Sequence, residues 1–235
     1  MSSPSARSLF LFETRTFDRA YDALAMRLYV TPASPWVRRV RVTILELGIE
    51  NRFEFVQTRW PHSWGTQTVT MPADFTAATP VLRIPALVTD DVTLTDSHAI
   101  CDYLNAEFGN FRLLAREGAA RWRALATIAI ANGILEAQIM RRAELLRSDK
   151  ERSNDFIAKM RDREFRCFAA LEEDLPNFST IFDLAQITTA VACGYDDWRY
   201  GPDWRGEAPK LAAWYDSVAQ RPSMTATSPA ETPQR

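Results

Sequence analysis

The stretch TPVLRIPALVTDDVTLTDSHAICDYL, residues 79–104, reads as a β-hairpin feeding a helix. Ala86-Leu87-Val88 and Val92-Thr93-Leu94 are short runs rich in strand formers, and Asp90-Asp91 between them suits a tight turn. Asp96 and Ser97 precede Ala99, Ile100, Tyr103 and Leu104, whose spacing is helical. One of the two therefore caps that helix, and both side chains sit at its positive end. Pro85 opens the first strand, where a missing N–H is tolerated, and a cis bond there would leave the Ile84 backbone free to pair outside its own sheet.

Upstream, residues 27–31 read as a strand, and Ser34-Pro35 starts a helix running through Val37, Val40, Arg41, Ile44 and Leu45, with Ser at the N-cap and Pro at the first helical position. Residues 53–58 supply a second strand, so the order is strand, helix, strand, then hairpin and helix. Between 59 and 78 the chain shows no period and carries Trp60, Pro61, His62, Trp64 and Pro72, which suggests a binding loop. Residues 1–25 show neither alternation nor a helical stripe and are taken as an extension. A Ser/Arg-rich opening also suits a weak transit signal, against which Glu13, Asp18 and Asp22 argue.

Downstream, residues 107–116 read as a linker and the remainder as nearly all helical. Leu125, Ile128, Asn132, Leu135 and Ile139 mark one face of a long helix; Ile157, Met160, Phe168, Leu171 and Leu175 mark the next, which Pro176 ends. On the first of these, Trp122, Ala126, Ala129, Gly133 and Met140 form a second apolar stripe, either buried within its own bundle or covered by a second chain. Thr180-Ile181-Phe182-Asp183 reads as a reciprocal capping box for a helix that is apolar nearly all round. Domain limits are expected at 26–106 and 117–226, with a disordered tail at 227–235.

Several of these segments resemble the glutathione S-transferase superfamily. Ile84-Pro85-Ala86-Leu87 is similar to its Val-Pro-Ala-Leu, and Asp96-Ser97-x-Ala99-Ile100-x-x-Tyr103-Leu104 to its acidic-Ser-x-Ala-Ile-x-x-Tyr-Leu. Ala33-Ser34-Pro35-Trp36-Val37-Arg38 resembles the first loop of bacterial glutathione transferases, and residues 139–147 and 194–223 look like one bacterial branch. The lead-in 79–83 lacks the family's flexible Gly and has Arg83 for its Lys. The resemblance covers roughly 26–228 and implies an α/β thioredoxin-like N-terminal domain followed by an all-α helical domain.

It further implies that Ile84, before a cis Pro85, holds the cysteinyl unit of glutathione as an added strand would, and that Asp96 and Ser97 hold the γ-glutamyl end. Arg83 and His62 are candidates for the glycyl carboxylate; the alternatives are a solvated surface charge for Arg83 and an exposed or packed ring for His62. Ser34 would stabilise the thiolate, or it is an N-cap alone, and the two roles can coexist. Trp36, Trp64 and Met140 are expected to line a second-substrate pocket. A Ser rather than a Cys at position 34 favours conjugation or thiolysis over disulfide exchange. The expected function is a transferase acting on electrophiles in the cytoplasm as a homodimer, with a detoxifying role. The competing class is a non-catalytic relative that binds a ligand or a protein.

Composition sets outer limits. A net charge of −2 without a basic block argues against nucleic acid and polybasic membrane contact. The three cysteines, Cys101, Cys167 and Cys193, are dispersed, and there is no C-x-x-C or His/Cys cluster, so free thiols in a reducing compartment and no metal are expected. No apolar run is long enough to span a membrane.

Overall fold

The computed structural model describes residues 26–58 and 73–231. Strand β1 (Met26–Val30) is central in a four-stranded sheet of order β2-β1-β3-β4, with β2 at Phe53–Gln57, β3 at Ala86–Val88 and β4 at Thr93–Leu94. β1 and β2 are parallel, joined through helix α1 (Pro35–Leu47), and β3 and β4 run antiparallel to their neighbours. Leu28, Tyr29 and Val30 are buried, as expected of a strand covered on both sides. α1 and helix α3 (Ser97–Phe108) pack together over Leu28, Leu87, Ile44, Ile100 and Leu104, giving the thioredoxin-like layer. The β3–β4 turn is closed by Thr89 rather than by its aspartates: Thr89 Oγ1 accepts from Asp91 N (3.3 Å) and Val92 N (3.0 Å) and donates to Val92 O (3.0 Å).

The stretch expected to be irregular up to residue 78 ends instead in helix α2 (Ala73–Ala78). Phe75 is fully buried edge-on against Tyr29 at 4.9 Å, and Asp74 accepts from Arg27 (2.8 Å) and the Tyr29 hydroxyl (2.9 Å). One buried ring and one cap-side carboxylate hold a turn too short to show a helical period.

The helical part is α4 (Gly118–Leu145), α5 (Asn154–Asp174), α6 (Leu184–Arg199), α7 (Asp203–Glu207), α8 (Pro209–Ala219) and α9 (Pro222–Thr225). In α6 every residue from 184 to 196 is buried, so its unpaired terminal N–H groups need internal partners. The cap lies one turn later than the expected box. Asp183, not Thr180, is the N-cap and accepts from Gln186 N at 3.0 Å, while Gln186 Nε2 returns to Ser179 O and Ile181 O, both at 2.6 Å. The Leu184 N–H is taken by Leu113 O at 2.8 Å, so the linker anchors the helix start and Thr180 is left exposed. The tail expected to be disordered from residue 227 makes defined contacts as far as Glu231. Met224 is fully buried and accepts from Arg38 Nη2 at 3.2 Å, Thr227 is buried, and Glu231 pairs with Arg199.

α1 meets α6 at Gly194, where a Cβ would stand 2.5 Å from the Tyr215 hydroxyl and 2.6 Å from Arg38 Nη1, so any side chain would displace both. In the bundle centre Phe168 stacks on fully buried Trp204 at 4.8 Å, and the Trp204 N–H donates to Asp197 Oδ1 at 2.8 Å. A polar cluster also lies inside: Gln138 Nε2 donates to Ala192 O (3.0 Å) and Asp196 Oδ2 (2.9 Å), and Arg141 pairs with buried Glu164.

Candidate active site at one end of the sheet

The strand register decides what meets what. Tyr29 pairs with Ala86, so the C-terminal end of β1 lies beside the start of β3, and Leu94 pairs with Leu87, which brings the exit of β4 to the same end. The loop carrying Ser34, the Ile84-Pro85 peptide and the Asp96-Ser97 pair therefore converge on one edge. Ile84-Pro85 is cis, and both residues are buried. Ile84 lies outside β3, so the β1–β3 ladder does not claim it.

Ser34 caps α1 from an extended conformation (φ −91°, ψ 121°), and its Oγ accepts from Val37 N at 3.3 Å. A hydroxyl that accepts at one lone pair keeps its own proton for another partner, and this one does so at the positive end of a 13-residue helix. Asp96 caps α3 in the same manner, Oδ1 accepting from His98 N (2.8 Å) and Ala99 N (3.0 Å), while Oδ2 has no bond among the described residues. Ser97 is buried, and its Oγ accepts from Arg39 Nη2 at 2.5 Å.

Arg39 is the residue that sequence reading passed over. It is 1% exposed, it donates from Nη1 to Asn132 Oδ1 of α4 at 2.7 Å, and its guanidinium lies 5.3 Å from the Trp36 ring centroid. The α1 face pointing inward thus holds Arg38 and Arg39, whereas Arg41, expected there, is partly exposed and pairs with Glu50 at 3.8 Å. The available signal was Asn132, a lone polar residue in an otherwise apolar stripe.

Burial pulls the Arg39 guanidinium below its ordinary range, offset by Cys101 and Asp96. Burial, then the Arg39 charge, lowers His98, which keeps its imidazole neutral at pH 7. Cys101, fully buried with Thr43 Oγ1 at 3.3 Å, is pushed up to about 11 by burial and stays a thiol. It fills core space against Ile100 and Leu104.

The remaining expected residues are dispersed. Arg83 is exposed, with no ion pair among the described residues. Trp36 packs against the helical core, while Met140 stands 43% exposed on α4 and joins no core cluster. His62 and Trp64 lie outside the described residues. A groove of about 810 Å³ runs between the linker, α4, α5 and the start of α6, but none of Ser34, Ile84, Asp96 and Ser97 lines it. Of its three carboxylates two are already engaged, Asp183 as a cap and Asp174 with Thr127 and Asn177, and Glu173 is exposed. Among the described residues no helix is long and apolar enough to cross a membrane.

Comparison with known proteins agrees with the geometry. The family model described as glutathione S-transferase, N-terminal domain, matches residues 33–107. The uncharacterized GST-like protein YibF of Escherichia coli (strain K12) is 28% identical over 209 residues, covering 87% of this chain and 98% of its own. A glutathione transferase family member from Pseudomonas fluorescens Pf-5, solved with bound glutathione, is 37% identical at a TM-score of 0.81, covering 88% of this chain and all of the other. The same organism's family member solved with S-(propanoic acid)-glutathione is 36% identical at a TM-score of 0.77, with the same coverage. By its fold and these likenesses, the chain belongs to the glutathione S-transferase superfamily.

Proposed function

We propose that this protein is a glutathione transferase that binds glutathione across the end of the sheet and activates its thiol at Ser34. The observation that carries the reading is the convergence of a Ser34 hydroxyl proton with no acceptor among the described residues, the cis Ile84-Pro85 peptide and the Asp96-Ser97 pair on one edge. The Ile84 backbone would hold the cysteinyl unit, Asp96 and Ser97 the γ-glutamyl end, and Arg83 with His62 the glycyl carboxylate. Ser34 donates a hydrogen bond to the thiolate sulfur and keeps its proton. That sulfur forms a bond to an electrophilic carbon, the leaving group departs with its electron pair, and the thiol proton passes to solvent. Trp36, Trp64 and Met140 would border the second substrate, with the linker at 107–116 joining the two domains. The P. fluorescens relative that holds an S-substituted glutathione supports room for a group on sulfur. Dispersed free cysteines suit a cytoplasmic setting.

Titration calorimetry with glutathione, followed by turnover assays on aryl halides, epoxides, enones and peroxides, tests this. Binding together with conjugation of at least one class is expected. Binding without turnover across the panel replaces the reading with a non-catalytic binding protein.

The assembly expected is a twofold dimer. Trp122 is 67% and Met140 43% exposed, and Ala126 and Ala129 are exposed between them, so α4 presents an apolar flank that the described residues do not cover. Sedimentation at micromolar concentration should give about twice the 26.7 kDa chain mass, and Ala129→Arg should lower it with little loss of helicity. A wild-type monomer at that concentration refutes the dimer.

A further inference from the structure

We infer that Arg39 is a positioning residue for substrate recognition: through Ser97 it fixes a hydroxyl as a hydrogen-bond donor, which selects the α-carboxylate at the γ-glutamyl end of glutathione. The inference rests on the glutathione reading above. A serine hydroxyl has one proton and two lone pairs, and left alone it serves a donor or an acceptor equally well. At Ser97 that freedom is gone. Arg39 Nη2 occupies one lone pair at 2.5 Å, and the adjacent cation repels the hydroxyl proton, so the O–H points away from α1. Asp96, the neighbouring residue, presents the opposite character: Oδ1 is held by two backbone N–H groups and Oδ2 is left to accept. A donor beside an acceptor matches the carboxylate and ammonium of one amino-acid head group.

Arg39 itself is held for this task. Nη1 is fixed by Asn132 of α4 at 2.7 Å, Trp36 covers one side of the guanidinium, and buried Nε has no partner among the described residues. No carboxylate lies within 4.0 Å of it among the described residues, and Asp96 offsets its buried positive charge only from farther away. Retaining such a charge is costly to the fold, and a ligand anion is the group that would offset it.

The test pairs variants with ligands. Arg39→Met, alone and with Ser97→Ala, is titrated with glutathione and with 4-aminobutyryl-cysteinyl-glycine, which lacks only the α-carboxylate. Wild type should prefer glutathione; no preference would overturn the γ-glutamyl reading itself. Arg39→Met should weaken glutathione by about tenfold or more while moving the analogue by less than about twofold, and should add little once Ser97 is alanine. Equal loss for both ligands, or full additivity with Ser97→Ala, would mean that Arg39 only braces the fold. Should Arg39→Met not fold, Arg39→Lys carries the same comparison, because one ammonium cannot serve Ser97 and Asn132 together. Its loss should again be confined to glutathione, and equal loss overturns the role.

Discussion

Ser34→Ala is expected to lower turnover by about 10–100-fold while leaving glutathione affinity within a few-fold of wild type. A free thiol titrates near about 8.5, so holding it largely as thiolate at neutral pH takes roughly 2.7 kcal/mol. A charge-assisted hydrogen bond from a hydroxyl contributes about 1.5–3 kcal/mol and a helix N-terminus about 0.3–2. The structure offers both at Ser34, whose Oγ accepts from Val37 N and whose proton has no acceptor among the described residues. Alanine deletes the hydroxyl and leaves the helix end in place, so the loss is partial and grows with thiolate charge. It also removes the cap of α1, which costs about 0.5–2 kcal/mol of stability, and the melting temperature must be recorded beside the rate. The diagnostic is the pH profile: the limb that reports thiol ionisation should move towards the ordinary thiol value in the variant. Unchanged turnover with an unchanged profile would reduce Ser34 to a helix cap.

What could be read from the chain, and what could not, follows the range of the forces involved. Ser34-Pro35, the Asp96 cap and the strand order are legible because each is decided by dihedral preference or hydrogen bonding over a few residues. Even there the start of α6 moved by one turn, because the Leu184 N–H was already satisfied by Leu113, far upstream. α2 was missed because six residues hold it through contacts with β1 rather than through any period of their own. The Arg39 contacts join residues 58 and 93 positions apart, and no local pattern distinguishes that arginine from Arg41, which the helix turns outward. The docked tail is similar: a Ser-, Thr- and Pro-rich composition reads as unfolded, yet one buried methionine and the Arg38 and Arg199 contacts fix it as far as Glu231.

Glu164→Gln should flatten the loss of stability between about pH 4 and pH 9, so that the variant gains on wild type as pH rises. Glu164 is buried, its Oε1 meets no donor among the described residues, and Asp196 faces it across the bundle, itself held by Gln138 at 2.9 Å. Burial, reinforced by Asp196, raises Glu164 to about 8 even against the Arg141 charge; burial likewise raises Asp196 to about 6. Two carboxyls with folded values above their unfolded ones keep their full contribution below about pH 4 and lose it as pH climbs through those folded values. The sign is therefore opposite to that of an exposed, salt-bridged carboxylate. A carboxyl displaced that far costs on the order of a few kcal/mol at pH 9 relative to pH 4. Glutamine resembles the protonated acid in shape and keeps a donor for Asp196, so the variant should match wild type near pH 5 and melt several degrees higher at pH 9. Groups common to both proteins cancel in the difference. If ionised Glu164 and its pairing with Arg141 dominate instead, the difference runs the other way, with the variant falling further below wild type as pH rises.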